Sequence, residues 1–80
     1  MTVSYSIRTK ETNDTANASE PGVQLGRFCI STGIPASEVS VYFKVSKQTV
    51  YSWFSGVHSM DEKRTHLVRS FIDAHTENQK

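Results

Sequence analysis

Between Ser46 and Ser55 the residue types admit one helical phase. At 100° per residue, with Lys47 set at 0°, Gln48, Tyr51, Ser52 and Ser55 fall between about 40° and 140°. Thr49, Val50, Trp53 and Phe54 fall between about 200° and 340°. The two sets do not overlap. One face of a helix over 47–55 must therefore pack inward. The other presents a cation, an amide, a phenol and two hydroxyls. Ser46 precedes it as an N-cap, because its hydroxyl can accept from a free backbone N–H of the first turn.

A second short helix precedes this one. Pro35 suits a first helical position. With Ala36 at 0°, Val39, Ser40 and Phe43 lie within about 60° of it on the wheel. That inward stripe pairs two small residues with two larger apolar ones, and the small Ser40 lets a second helix cross closely. Lys44-Val45-Ser46 then supplies a turn, a buried anchor and a cap. Gly56 closes the second helix.

The polar face over 47–55 suits the edges of DNA bases. Gln bonds bidentately to adenine, Lys donates to guanine O6 and N7, and Ser is short enough for close approach. An ordinary solvated helix face has the same composition. The partner helix and the spacing separate the two readings.

With its small residue at Ser40, its Val45-Ser46 turn, its apolar anchors Val50 and Trp53 and its closing Gly56, the stretch from Ala36 to Gly56 resembles the helix-turn-helix of phage Cro and lambda-repressor-like regulators. The departure is Lys44, which stands where that family has a turn glycine. A kept turn would hold Lys44 at positive φ, at a cost of about 1 kcal/mol. The resemblance implies an all-α, four-helix lambda-repressor-like domain over residues 21–75. Helix 47–55 would read the major groove, with Lys47, Gln48, Ser52 and Tyr51 as base-reading residues. Tyr51 would touch a thymine methyl or the phosphate edge, and Ser46 the phosphate edge. Ala36 and Ser37 would offer backbone N–H groups to a phosphate. His58 and Ser59 would touch the other strand, and Lys44, Lys63 and, more weakly, Arg64 would be further phosphate contacts.

Eighty residues make one domain with modest burial. The single cysteine, Cys29, rules out an internal disulfide and fits a reducing cytoplasm, here that of a bacterial host. No apolar run is long enough for a membrane span, and no signal peptide is visible. The net charge is only +1, but residues 21–70 hold six basic residues against three acidic ones.

Residues 1–20 read as a polar, largely flexible arm, with no apolar residue larger than Ala between Lys10 and Glu20. Val3, Tyr5 and Ile7 alternate with polar residues, so 2–8 fits a short strand that pairs with a second subunit or lies on DNA through Arg8 and Lys10. A helix over Pro21–Thr32 has Ser19 as cap and Gly33 as stop. Its core face is Leu25, Phe28, Cys29 and Thr32, while Val23 and Ile30 lie opposite, against another element or an interface. Gly26 costs helix stability and gives a neighbour room to approach. Ser59-Met60-Asp61-Glu62 has the form of a capping box, so a last helix should run from Met60 to about His75. Its stripe is Met60, Leu67, Val68, Phe71 and Ile72, with Phe71 and Ile72 overhanging the core as a dimer surface. Residues 76–80 form a polar tail.

His58, His66 and His75 lack metal-ligand spacing, and no nucleophile–base set or phosphate-cradling glycine loop is present. The sequence thus points away from an enzyme, a cofactor, a metal, a membrane or a small-molecule ligand. It points to a sequence-specific DNA-binding transcription regulator, a Cro-type phage or prophage repressor that binds a double-stranded operator as a homodimer. One reading helix spans too few base pairs for genomic specificity, so two half-sites about 34 Å apart are expected. The alternative is a small helix-turn-helix protein-binding module: an antirepressor, an antitoxin or a host-factor inhibitor.

Overall fold

The computed structural model describes residues 5–77, and these are all-helical. The elements are α1 (Ile7–Thr15), α2 (Pro21–Thr32), α3 (Ala36–Phe43), α4 (Lys47–Phe54) and α5 (Glu62–Glu77). No helix among the described residues is long and apolar enough to cross a membrane. The principal extents are 31 × 29 × 22 Å.

α2 is the hub and packs on α4, α5 and α1, while α3 packs on α4. Two glycines on one face of α2 allow the closest crossing. A Cβ on Gly22 would sit 2.7 Å from Trp53 Cβ, and one on Gly26 2.8 Å from Phe54 Cγ. α4 thus lies nearly on the α2 backbone. Leu25 and Cys29 from α2, Val39 and Phe43 from α3, and Val50, Trp53 and Phe54 from α4 form the core, closed by Val68 and Phe71 from α5. Phe43 meets the edge of Trp53 at 5.7 Å and lies 5.8 Å from Phe71. Such aromatic pairs add about 0.5–1.5 kcal/mol beyond the area they bury. Burial first, and Glu38 second, push the Cys29 thiol up to about 12. It stays protonated and behaves as a small hydrophobe.

The α3–α4 pair follows the expected local rules. Lys44 ends α3 in the left-handed region, at φ 58° and ψ 48°. Ser46 caps α4 by accepting from the Thr49 N–H at 3.2 Å. Gly56 follows α4 at φ 76°. Val50, Trp53 and Phe54 are buried, and Lys47, Gln48 and Tyr51 face out.

The N-terminal segment is different from the expected strand and flexible arm, of which residues 2–4 lie outside the described residues. A fifth helix, α1, stands there. Ser6 caps it by accepting from the Thr9 N–H. Thr12 and Thr15 hydroxyls donate back to the Arg8 and Glu11 carbonyls, which absorbs polar groups that would otherwise compete with the helix. α1 has almost no apolar face: its one large apolar residue, Ile7, is exposed. Polar anchors hold it instead. Asn13 is buried, and its Nδ2 donates to the Val23 carbonyl at 3.1 Å and the Phe54 carbonyl at 2.8 Å. Arg27 donates to the Asp14 carbonyl. Tyr5, just before α1, is buried against Phe54 and donates to the Ile34 carbonyl. Burial raises its pKa, so the phenol keeps that proton. A Tyr5 buried within its own chain is not available to a second subunit.

Other expectations change for reasons of depth and capping. Val23 and Ile30, by contrast, take the first of their two expected placements, against other elements: Val23 is fully buried and Ile30 half-buried against the core. Glu20, not Ser19, precedes α2, without a side-chain cap; Ser19 bonds to Asn17. α5 starts at Glu62 rather than Met60 and runs to Glu77, past the expected end of the domain. The capping box does not form, because the Ser59 hydroxyl donates to Glu20. Asp61 starts the helix instead, with its carbonyl accepting from the Thr65 N–H. Phe71 is buried beneath Tyr42 and His75, so it is core and not a dimer surface. Ile72 is half-buried against the same core. Leu67 turns outward and is exposed. Arg64 donates to the Phe43 carbonyl and pairs with Asp61, so its guanidinium serves the fold.

Candidate nucleic-acid interface

The outer face of α4 forms a crest between two hollows. Gln48 and Ser52, one turn apart, line both. On one side a groove of about 530 Å³ separates α4 from α1. Lys47, Gln48, Tyr51, Ser52 and Ser55 form its α4 wall, and Arg8, Thr9 and Thr12 its α1 wall. On the other side a hollow of about 350 Å³ is lined by Ser46, Thr49 and His58 with the crest residues. His58 is brought there by the turn after α4, where the Ser52 carbonyl accepts from the Val57 and His58 N–H groups.

A third hollow, about 380 Å³, continues the groove toward the start of α3. It shares Thr9, Lys47 and Tyr51 with the groove and adds Ala36 and Ser37. The Ala36 side chain is buried, so this residue has only its backbone to offer. Pro35 precedes α3 and gives it no side-chain cap. The Glu38 N–H is taken by the Pro35 carbonyl, so the Ala36 and Ser37 N–H groups beside this hollow are the ones suited to an anion.

No carboxylate lines any of the three hollows. Arg8 and Lys47 are exposed and enter none of the ion pairs among the described residues. The surface is thus cationic and rich in hydroxyls despite a net charge of +1. Tyr51 stands half-open, its ring edge-on to Phe54 at 6.5 Å. The Ser46 hydroxyl is committed to Thr49, so its capping role dominates.

The expected residues Lys47, Gln48, Tyr51, Ser52, Ser46, His58, Ala36 and Ser37 thus gather around one crest. Lys44, Ser59 and Lys63 line none of its hollows, and Ser59 is turned to the Glu20 carboxylate, a poor setting for a phosphate. Arg8, Thr9 and Thr12 reach the crest as part of a helical wall rather than a flexible arm. The sequence signal for that wall was a Ser6 cap followed by fourteen residues free of Gly and Pro.

A separate hollow of about 520 Å³ lies between α3 and α5, on a different face. Val41, Tyr42, Phe71 and Pro35 make it mostly apolar, and Val41 is 77% exposed. Beside it His75 Nε2 lies 2.6 Å from Glu38 Oε2.

A scan against models of known protein families finds no match, and neither curated proteins nor solved structures yield one.

Proposed function

We propose that this protein is a sequence-specific double-stranded DNA-binding regulator of the helix-turn-helix kind, with α3 and α4 as the motif and α4 as the reading helix. The observation that carries the reading is the α4 crest: an exposed Gln48 with Lys47 and Ser52 beside it, flanked on one side by a groove with Arg8, Lys47 and hydroxyls and on the other by a hollow with hydroxyls and His58, and by no acid on either. A crest between two hollows suits a duplex groove, which has an edge to read and a phosphate wall on either side. Gln48 would read adenine and Lys47 guanine, while Ser52 bonds to either. Tyr51 reaches a base or the strand at the groove edge. The turn at Lys44 keeps the positive φ of the family's glycine, which supports the same motif. A Cro-type phage repressor in the bacterial cytoplasm is the form we favour, acting as a homodimer because one reading helix spans too few base pairs for genomic specificity.

Selection of sites from a random duplex pool, with the enriched duplex re-measured over a salt series, tests this. A two-fold-symmetric site whose affinity falls steeply with salt is the expected result. Absence of enrichment would overturn the reading.

A protein-binding module, such as an antirepressor, antitoxin or host-factor inhibitor, is the second reading. The apolar hollow at Val41 and Tyr42 favours it. That hollow is not on the α4 crest, so the polar crest itself speaks for DNA.

A further inference from the structure

We propose that the groove between α1 and α4 seats one sugar–phosphate strand of the duplex, with Arg8 as the cation that holds it from the α1 side. The inference rests on the DNA reading above and adds to it a second wall, from an element outside the helix pair.

The first ground is size. The B-DNA major groove is about 12 Å wide, and a helix with its side chains is about 10–12 Å across. α4 alone fills it. α1 packs beside α4 and cannot enter the same groove. Nor is α1 free to leave. Asn13 ties it to the backbones of both α2 and α4, and Tyr5 is sunk in the core. When α4 enters, α1 must come down on the far side of the groove wall. That wall is a single phosphodiester strand, and the α1–α4 groove is the space left for it.

The second ground is chemistry. Arg8 and Lys47 face each other across the groove, with no carboxylate between them. Arginine is the side chain whose planar fork matches a phosphate in two parallel hydrogen bonds. The Ser6 hydroxyl donates to Thr9 Oγ1 at 2.9 Å. The Thr9 hydroxyl thereby accepts within the helix and keeps its own proton to donate. The trough then continues past Lys47 to the start of α3, in line with a strand that runs across all three elements.

The test uses the duplex that the wild-type protein itself enriches from a random pool. Wild type, Arg8→Ala and Arg8→Lys are titrated against it over a salt series. Each is then titrated against copies in which one phosphate at a time is a neutral methylphosphonate. Arg8 is exposed, so thermal melting should be unchanged in both variants. Arg8→Ala should lower the magnitude of the salt slope by about 0.9, and Arg8→Lys should restore it. Neutralising one particular phosphate should weaken wild type and leave Arg8→Ala unaffected. If wild type binds and Arg8→Ala keeps its slope and its phosphate pattern, the strand does not lie in this groove, and α4 remains the reader. If wild type enriches no duplex, the DNA reading falls and the seat falls with it.

Discussion

Gly26 stands where three helices meet, and it reverses a rule of thumb. Alanine is favoured over glycine inside a helix by about 1 kcal/mol. A Cβ at Gly26, however, would lie 2.7 Å from Asn13 Nδ2, 2.8 Å from Phe54 Cγ and 2.9 Å from Phe54 Cβ. Asn13 cannot swing away without leaving the Phe54 carbonyl, at the end of α4, unpaired, and Phe54 is fully buried. Overpacking of this kind costs about 1–3 kcal/mol, which exceeds the propensity gain. Gly26→Ala should therefore lower stability, and a thermal melt by circular dichroism should fall by several degrees; a rise would mean that α1 and α4 yield at no cost. Gln48 makes the opposite kind of prediction, because its side chain is exposed on the α4 crest. Gln48→Ala should leave the melt alone and weaken binding to the selected duplex by about 1–3 kcal/mol, with discrimination lost at one base position. Equal weakening on the selected and a scrambled duplex would remove Gln48 as a base reader.

Among the elements, α3 and α5 are joined by one titrating contact. His75 reaches Glu38 through Nε2, and its Nδ1 lies 2.9 Å from the Phe71 carbonyl. That carbonyl first, then Glu38, raise the His75 pKa above 6.5, with burial opposing them. Its folded value thus exceeds its unfolded one. The stabilising contribution is complete below pH 6.5 and is lost as pH rises through the folded value. Melting temperatures of wild type and His75→Gln, measured across that range, should converge as pH rises. Parallel curves would show that the contact contributes nothing. The elements also differ in how far the sequence revealed them. α2, α3, α4 and the bulk of α5 carry apolar periods, and the wheel phase assigns the inward face of α4 correctly. The cap at Ser46 was legible because it rests on a local hydrogen-bonding rule, whereas the positive φ at Lys44 followed only from the resemblance and runs against the local steric preference of a residue with a Cβ. A wheel gives direction but not depth, however, so Phe71 read as overhanging and Leu67 as core. α1 lacked a signal of that kind, because Asn13 and Tyr5 attach it rather than an apolar stripe. Its wall of the candidate interface was hidden with it.

Taken whole, the molecule is a small body in which α1 is either an integral layer or an appendage. Its sequence suggests an appendage, since α1 buries no large apolar side chain of its own. Its contacts argue for a layer. Tyr5 adds a nearly buried aromatic ring to the core cluster, and Ala16 and Val23 both lie close to the positive-φ Gly56. Removing residues 1–16 would strip cover from Val23 and Phe54 and leave the Val23 and Phe54 carbonyls without their Asn13 partner. Loss of one buried large side chain alone accounts for about 1.5–3 kcal/mol, and the orphaned Phe54 carbonyl about 1–3 kcal/mol if water cannot reach it, since the Val23 carbonyl keeps its helical partner within α2. A domain of this size holds only about 4–12 kcal/mol in total. The truncated chain should therefore melt at least 10 °C lower, at about 4–8 °C per kcal/mol, and its backbone amides in α4 should exchange faster with solvent. A truncated protein that melts within about 2 °C of wild type would make α1 an appendage. A freely detaching α1 would also leave the space beside α4 open, so this melt bears on whether a phosphate strand meets one helical wall or two.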